Sequence, residues 1–259
     1  MTDIPGSWWA TSRKIALPLG FVILIGMVWE WSVARLQVSS AVMAAPSSVW
    51  EVLFAYSELL FKHSWPTARE ALAGFGLATV TGITLGIVLA VLPVVRRGLY
   101  PHVVAFQLIP KVALAPLFIL WFGIGSEARL MFVIFMAFFP IVVSTMSGIS
   151  GTPAGALKLG QALGCSKWQE LIHIRIPYAV PQISAGLKVS VTMAIIGTVV
   201  GEFVTGQEGL GFLIIMGSAN GQSAVVFAAI TFLSALGLML FGLVAGANQY
   251  ARKRWADTA

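Results

Sequence analysis

The chain has 259 residues, 58% of them hydrophobic and only 10% charged, with a formal net charge of +6 and a mean hydropathy of +0.89. Soluble domains carry about 25% charged residues, so this composition excludes a soluble enzyme, a disordered regulator and a nucleic-acid-binding domain. The basic excess reads instead as the topology signal of a polytopic membrane protein, helical because lipid offers no water to free backbone groups.

A crossing helix needs about 20 apolar residues. Six segments supply them: Ile15–Val33, Ala71–Val95, His102–Phe122, Leu130–Ile149, Ile183–Val204 and Ala224–Ala247. The first follows Arg13 and Lys14 but is too long for a signal-peptide core, and it reads as a retained helix. After it, Pro46 precedes Ser48-Val49-Trp50-Glu51, a capping-box pattern. Val49, Val52, Leu53, Tyr56 and Leu60 then recur at helical spacing, which predicts a short helix anchored on the outer leaflet.

The third segment is interrupted by Pro110, Lys111 and Pro116, so a broken or re-entrant helix stands beside a continuous span. Ionisable residues inside a span are functional candidates by default. Lys111 lies roughly 13 Å along this one; it either lines a pathway and attracts an anion, or snorkels or pairs with a carboxylate. Gln107, one turn earlier, is a weaker pathway candidate. Lys188 sits near the inner end of the fifth span, and Glu202 near its outer end either pairs across helices or belongs to a gate. Small residues four apart (Gly82/Gly86, Gly197/Gly201, Gly242/Gly246) predict close helix packing, within one chain or between two.

With the N-terminus inside, ten basic residues fall on the cytoplasmic side: Arg13, Lys14, Arg96, Arg97, Lys158, Lys167, Arg175, Arg252, Lys253 and Arg254. Only four, Arg35, Lys62, Arg69 and Arg129, fall outside. Both termini are therefore expected in the cytoplasm. The expected organisation is a cytoplasmic segment 1–14, a transmembrane domain 15–250 and a cytoplasmic tail 251–259.

The long inner loop, 153–177, carries its own pattern. Pro153 opens a helix, Ala154–Leu163 is rich in helix formers, and Gly164 ends it by supplying a left-handed residue. Ser166 starts a second helix with Gln169 as its box partner. Trp168, Leu171 and Ile172 give that piece an apolar face, and Pro177 and Pro181 are expected to stop it before the fifth span. An exposed apolar patch of this kind needs a protein partner, the alternative being a helix flat on the inner leaflet.

This loop resembles the EAA loop of bacterial binding-protein-dependent ABC transporter permeases. Gly164 matches the central glycine, and Ile174-Arg175-Ile176-Pro177 matches the closing I-x-LP pattern. PSSVW at Pro46–Trp50, ALAGFGLATVTGITLG at Ala71–Gly86, IPKVALAPLFILWFGIG at Ile109–Gly125 and EGLGFLI at Glu208–Ile214 extend the likeness, to the nitrate/sulfonate/taurine-type subfamily, over nearly the whole chain. The EAA triplet itself falls on Lys158-Leu159-Gly160, so a basic residue replaces the acidic one.

The resemblance implies a type I ABC importer permease fold: six transmembrane helices in an all-α membrane protein, with a helix–turn–helix coupling loop between the fourth and fifth. It implies two ATPase subunits docked on that loop through Lys158, Gly160, Gly164, Ser166, Trp168, Leu171, Ile174 and Pro177. It further implies a second copy of the chain, an external substrate-binding protein (periplasmic or surface-held), and a bacterial inner membrane. Gln107, Lys111 and Glu202 are the pathway candidates for a small, anionic solute. A vitamin precursor of pyrimidine or riboflavin type is the alternative cargo, and a channel or secondary carrier the alternative mechanism. No phosphate loop occurs: the nearest string, Gly160–Lys167, has Cys165-Ser166 where Lys-Ser/Thr is needed. ATP and Mg are accordingly expected in the partner subunit, with no cofactor, metal or catalytic residue here.

Overall fold

The computed structural model describes the backbone of residues 8–256 and the side chains of residues 16–250. The side chains of Arg13, Lys14, Arg252, Lys253 and Arg254, and those of the end segments 1–14 and 251–259, lie outside the described residues. Among the described residues the chain is helical without a strand. In order come α1 (Trp8–Arg35), α2 (Pro46–Ala55), α3 (Ser57–Val91), α4 (Pro93–Leu108), a 3₁₀ turn at Lys111–Leu114, α5 (Ala115–Phe122) and α6 (Ser126–Ser150). Then follow α7 (Ala154–Ala162), α8 (Lys167–Glu170), a π turn at Leu171–Arg175, α9 (Ile176–Thr205), α10 (Leu210–Ala219) and α11 (Ser223–Ala256). Five helical stretches are long and apolar enough to cross a membrane, and the bent pair α4–α5 makes a sixth.

The bent pair corrects the continuous third span. Its two halves meet at 94° around Ile109 and Pro110, because Pro110 has no N–H for the helical ladder and biases Ile109 to extended backbone. Ile109 is extended, at φ −69° and ψ 135°. The pair still packs along α6 from Phe132 to Met146. Val103 is buried with Leu89 and Met146, the Phe106 ring stacks on Phe139, and Phe118 packs on Phe132 and Phe135.

Three further boundaries differ from expectation. The second span begins at Ser57, fourteen positions before Ala71, and its 35 residues extend about 52 Å at 1.5 Å per residue. Leu60 therefore belongs to α3 rather than α2. The Ser48–Glu51 capping box does not form: α2 starts on Pro46, and Glu30 of α1 accepts from the Ser47 N–H at 3.0 Å and its hydroxyl at 2.7 Å. A carboxylate from another helix has taken over the cap. Nor do Pro177 and Pro181 separate the loop from the fifth span, since the helix runs on from Lys167 to Thr205 through the π turn. The short helix α10, ten residues between the fifth and sixth spans, was absent from the sequence-derived set of elements.

The centre of the fold is α6, held between α3 and α9. Close approach requires small residues there. A Cβ at Gly82 would lie 2.9 Å from Ile141 Cβ, one at Gly86 2.6 Å from Thr145 Cβ, and one at Gly197 3.1 Å from Met136 Cγ. The first two glycine pairs thus pack within the chain, both against α6, whereas Gly242 and Gly246 face open space.

Candidate functional site: a coupling hairpin, a broken span and a buried polar junction

At one end of the bundle, α7, Gly164 and α8 form the predicted hairpin. Gly164 has φ +77°, a conformation glycine adopts without a Cβ penalty. Its N–H donates to Gln161 O at 3.0 Å and the Cys165 N–H to Gly160 O at 3.0 Å, the two bonds of a Schellman stop. Ser166 Oγ accepts from the Gln169 N–H at 3.3 Å while Gln169 Oε1 accepts from the Ser166 N–H at 2.8 Å, completing the capping box.

The hairpin sorts its side chains into two faces. Leu159, Leu163 and Trp168 stand 63%, 75% and 69% exposed, and Lys158 is exposed beside them. Gly160 and Leu171 face inward. A Cβ on Gly160 would sit 2.5 Å from Ile174 Cδ1, and Leu171 packs with Ile149 and Ala179. Leu171 is therefore an anchor of the hairpin rather than part of its exposed face, a correction with a simple cause: its N–H bonds Lys167 O in a regular turn, so it stands about 60° round the helix from Trp168, on the side that meets Ile149 and Ala179. Ile174 and Pro177 are half-buried where the hairpin joins α9.

Halfway along α6, the break in the third span carries the other two candidates. Lys111 opens the 3₁₀ turn with its Nζ 5.4 Å from the centre of the Phe139 ring, a cation–π distance. Gln107 lies exposed in the last turn of α4, and Leu108 beside it is 83% exposed. Glu202 is not part of this group. It is 1% exposed and lies at the opposite end from the hairpin, so it presents no carboxylate to an open passage of this chain.

Glu202 instead pairs across helices, the other role its position allows, within a polar junction whose remaining members the sequence did not single out. Its carboxylate accepts from Thr67 Oγ1 at 2.7 Å and from the Gly211 N–H at 2.7 Å, while Thr67 Oγ1 accepts from the Leu210 N–H at 2.9 Å. The N-terminus of α10 is thus capped by α3 and α9, which suits a carboxylate at the positive end of a helix. Gly209, at φ +102°, lies against that carboxylate where a Cβ would overlap it. Beside it, the Arg129 guanidinium donates through Nε to both oxygens of Glu70, at 2.8 and 2.9 Å, and through Nη2 to Glu70 as well. Arg129 also reaches Thr205 Oγ1 at 3.1 Å and Glu208 at 3.3 Å. Arg129, counted above among the outer topology charges, is buried, and so is Glu70. Their signal was faint: Glu70 directly precedes one apolar run and Arg129 another, the flanking positions where topology charges also sit.

The chain matches the sequence profile of the binding-protein-dependent transport system inner membrane component family over residues 82–253. It is 32% identical over 228 residues to a probable ABC transporter permease of Haemophilus influenzae, covering 88% of this chain and 93% of that one. The formylaminopyrimidine transport permease ThiX of Halalkalibacterium halodurans is also 32% identical, with 88% and 91% covered. The taurine transport permease TauC of Escherichia coli is 27% identical, with 90% and 87% covered. Other relatives are named for riboflavin, aliphatic sulfonate and nitrate transport. Among solved structures, the inward-facing MetNI methionine ABC transporter superposes with a TM-score of 0.65 at 19% identity, over 78% of this chain and 98% of that one.

Proposed function

Because the chain belongs to the binding-protein-dependent transport system inner membrane components, as an ABC importer permease of the taurine, sulfonate and nitrate group, we propose that two copies of it enclose the pathway for a small anionic solute. The observation that carries this reading is the broken span. Non-helical backbone at membrane depth is tolerated only where protein buries it or where it lines a water-filled cavity. The break at Ile109–Pro110 lies level with Phe139, mid-way along α6, and in the single chain its neighbours Gln107 and Leu108 are uncovered. A second copy and an aqueous path against this face satisfy both conditions. Lys111 then supplies a positive charge beside the path, with Gln107 as a neutral hydrogen-bonding partner.

Two ATPase subunits dock on the exposed Leu159, Leu163 and Trp168, and Lys158 adds a basic contact where the family pattern has an acidic one. A binding protein delivers the solute at the end that holds Glu202 and Arg129. In a bacterial inner membrane, the charge asymmetry puts the hairpin and both termini in the cytoplasm. ATP-driven motion then shifts the permease between states that bind these partners differently. A second reading has support of its own: the pyrimidine- and riboflavin-transport relatives are 32% identical, against 27% for the taurine permease, which favours a neutral heterocyclic cargo.

The test is uptake by proteoliposomes containing the permease with its ATPase and binding protein, with taurine, nitrate, formylaminopyrimidine and riboflavin offered separately. Uptake should require ATP, and Lys111→Met should reduce anion uptake while assembly and basal hydrolysis persist. ATP-independent uptake would establish a channel or carrier instead. An unaffected Lys111→Met would remove the residue from the path.

A further inference from the structure

The helix that joins the coupling hairpin to the fifth span is weakly held by its own backbone. Pro177 and Pro181 lack the N–H that a regular helix would use, and the π turn just before them closes with the Ile176 N–H on Leu171 O. Widened turns and the prolines that follow them are where helices bend. Yet Lys167–Thr205 runs as one 39-residue helix. Across the turn, Glu170 Oε1 accepts from Arg175 Nε at 2.6 Å and pairs with Nη2 at 2.5 Å. Glu170 is 6% exposed and its partner half-buried, so this charge-assisted contact is shielded from water and firmer than a surface pair.

We infer that Glu170 and Arg175 are positioning residues whose ion pair stiffens the π turn, so that displacement of the hairpin moves α9 instead of bending the joint. The inference rests on the coupling-hairpin reading above and adds to it the element that transmits the motion. Neither residue is on the exposed docking face. Leu171, packed on Ile149 and Ala179, holds the turn to the bundle, and the close approach of Ile174 to Gly160 holds α7 to the same turn. Losing the pair should therefore loosen transmission without removing the docking surface.

Two measurements test this on Glu170→Gln, Arg175→Gln and the charge-keeping Arg175→Lys. In the purified permease alone, amide exchange over 167–180 should quicken by about fivefold in the two glutamine variants, the scale of one lost hydrogen-bonded contact, and stay near wild type in Arg175→Lys. In the complex, the ATPase should co-purify and hydrolyse ATP normally while solute imported per ATP falls by about the same factor. Unchanged exchange in both glutamine variants overturns the stiffening role. Faster exchange with an unchanged solute-to-ATP ratio overturns the transmission role, and loss of ATPase binding in Glu170→Gln makes the pair part of the docking surface. If the wild-type chain itself retains no ATPase, the coupling-hairpin reading fails, while the exchange measurement still decides what the pair does to the joint.

Discussion

Replacing Arg129 by methionine keeps most of its length and removes its charge from the junction of α3, α6 and α9. The native guanidinium satisfies Glu70 through three contacts and also serves Thr205 and Glu208. Methionine would leave Glu70, 8% exposed, without a compensating charge. Breaking one side of a buried ion pair costs about 3–5 kcal/mol, and a chain of this size loses roughly 2–4 °C of melting temperature per kcal/mol. Arg129→Met should therefore melt about 6–20 °C below wild type in detergent, followed by loss of the monodisperse species on heating. The double variant Glu70→Gln/Arg129→Met removes both charges and should recover a substantial part of that loss, giving a coupling of about 2 kcal/mol or more in a double-mutant cycle. Glu208→Gln should cost less than about 1 kcal/mol, because that side chain is 53% exposed. A loss below about 1 kcal/mol in Arg129→Met, or a double variant as damaged as the single, would refute the view that the pair anchors the junction.

Gly164→Val meets no atom within 4 Å of its Cβ, so its whole cost is the positive φ, about 1–2 kcal/mol; membrane abundance should hold while ATPase co-purification and stimulated hydrolysis fall, and wild-type levels of both would count against docking through this hairpin. Gly86→Val must displace Thr145, whereas Gly242→Val projects into open space, so the first should lower thermal stability by about 1–3 kcal/mol and the second leave the monomer fold intact. A membrane-impermeant thiol reagent should reach Cys165, half-buried in the hairpin, in inside-out vesicles but not in intact spheroplasts; labelling from outside would reverse the orientation.

Membrane residence, helical class and the hairpin were legible in the sequence because each depends on short-range rules. A run of apolar residues must span hydrocarbon whatever its neighbours do, and the Schellman stop at Gly164 and the box at Ser166–Gln169 are closed by residues within five positions of one another. Where a neighbour in space could substitute for one in sequence, the local reading failed. Glu30 displaced the Ser48–Glu51 box, and the π turn carried the helix through Pro177 where the prolines alone predicted a stop.

Partnership between distant residues belonged to the tertiary structure alone. Glu70 and Arg129 are 59 positions apart, and Thr67 and Glu202 are 135 apart. Nothing in the local sequence of Glu70 and Arg129 separates them from solvated topology charges, and nothing around Glu202, already conspicuous inside a span, names Thr67 as its partner. Likewise Gly82/Gly86 and Gly242/Gly246 show the same spacing, yet one pair packs on α6 and the other faces outward. Spacing sets which residues share a face of a helix. Only the packing of that helix against others sets what the face meets, and so whether a charge there is paired in the interior or bathed in solvent.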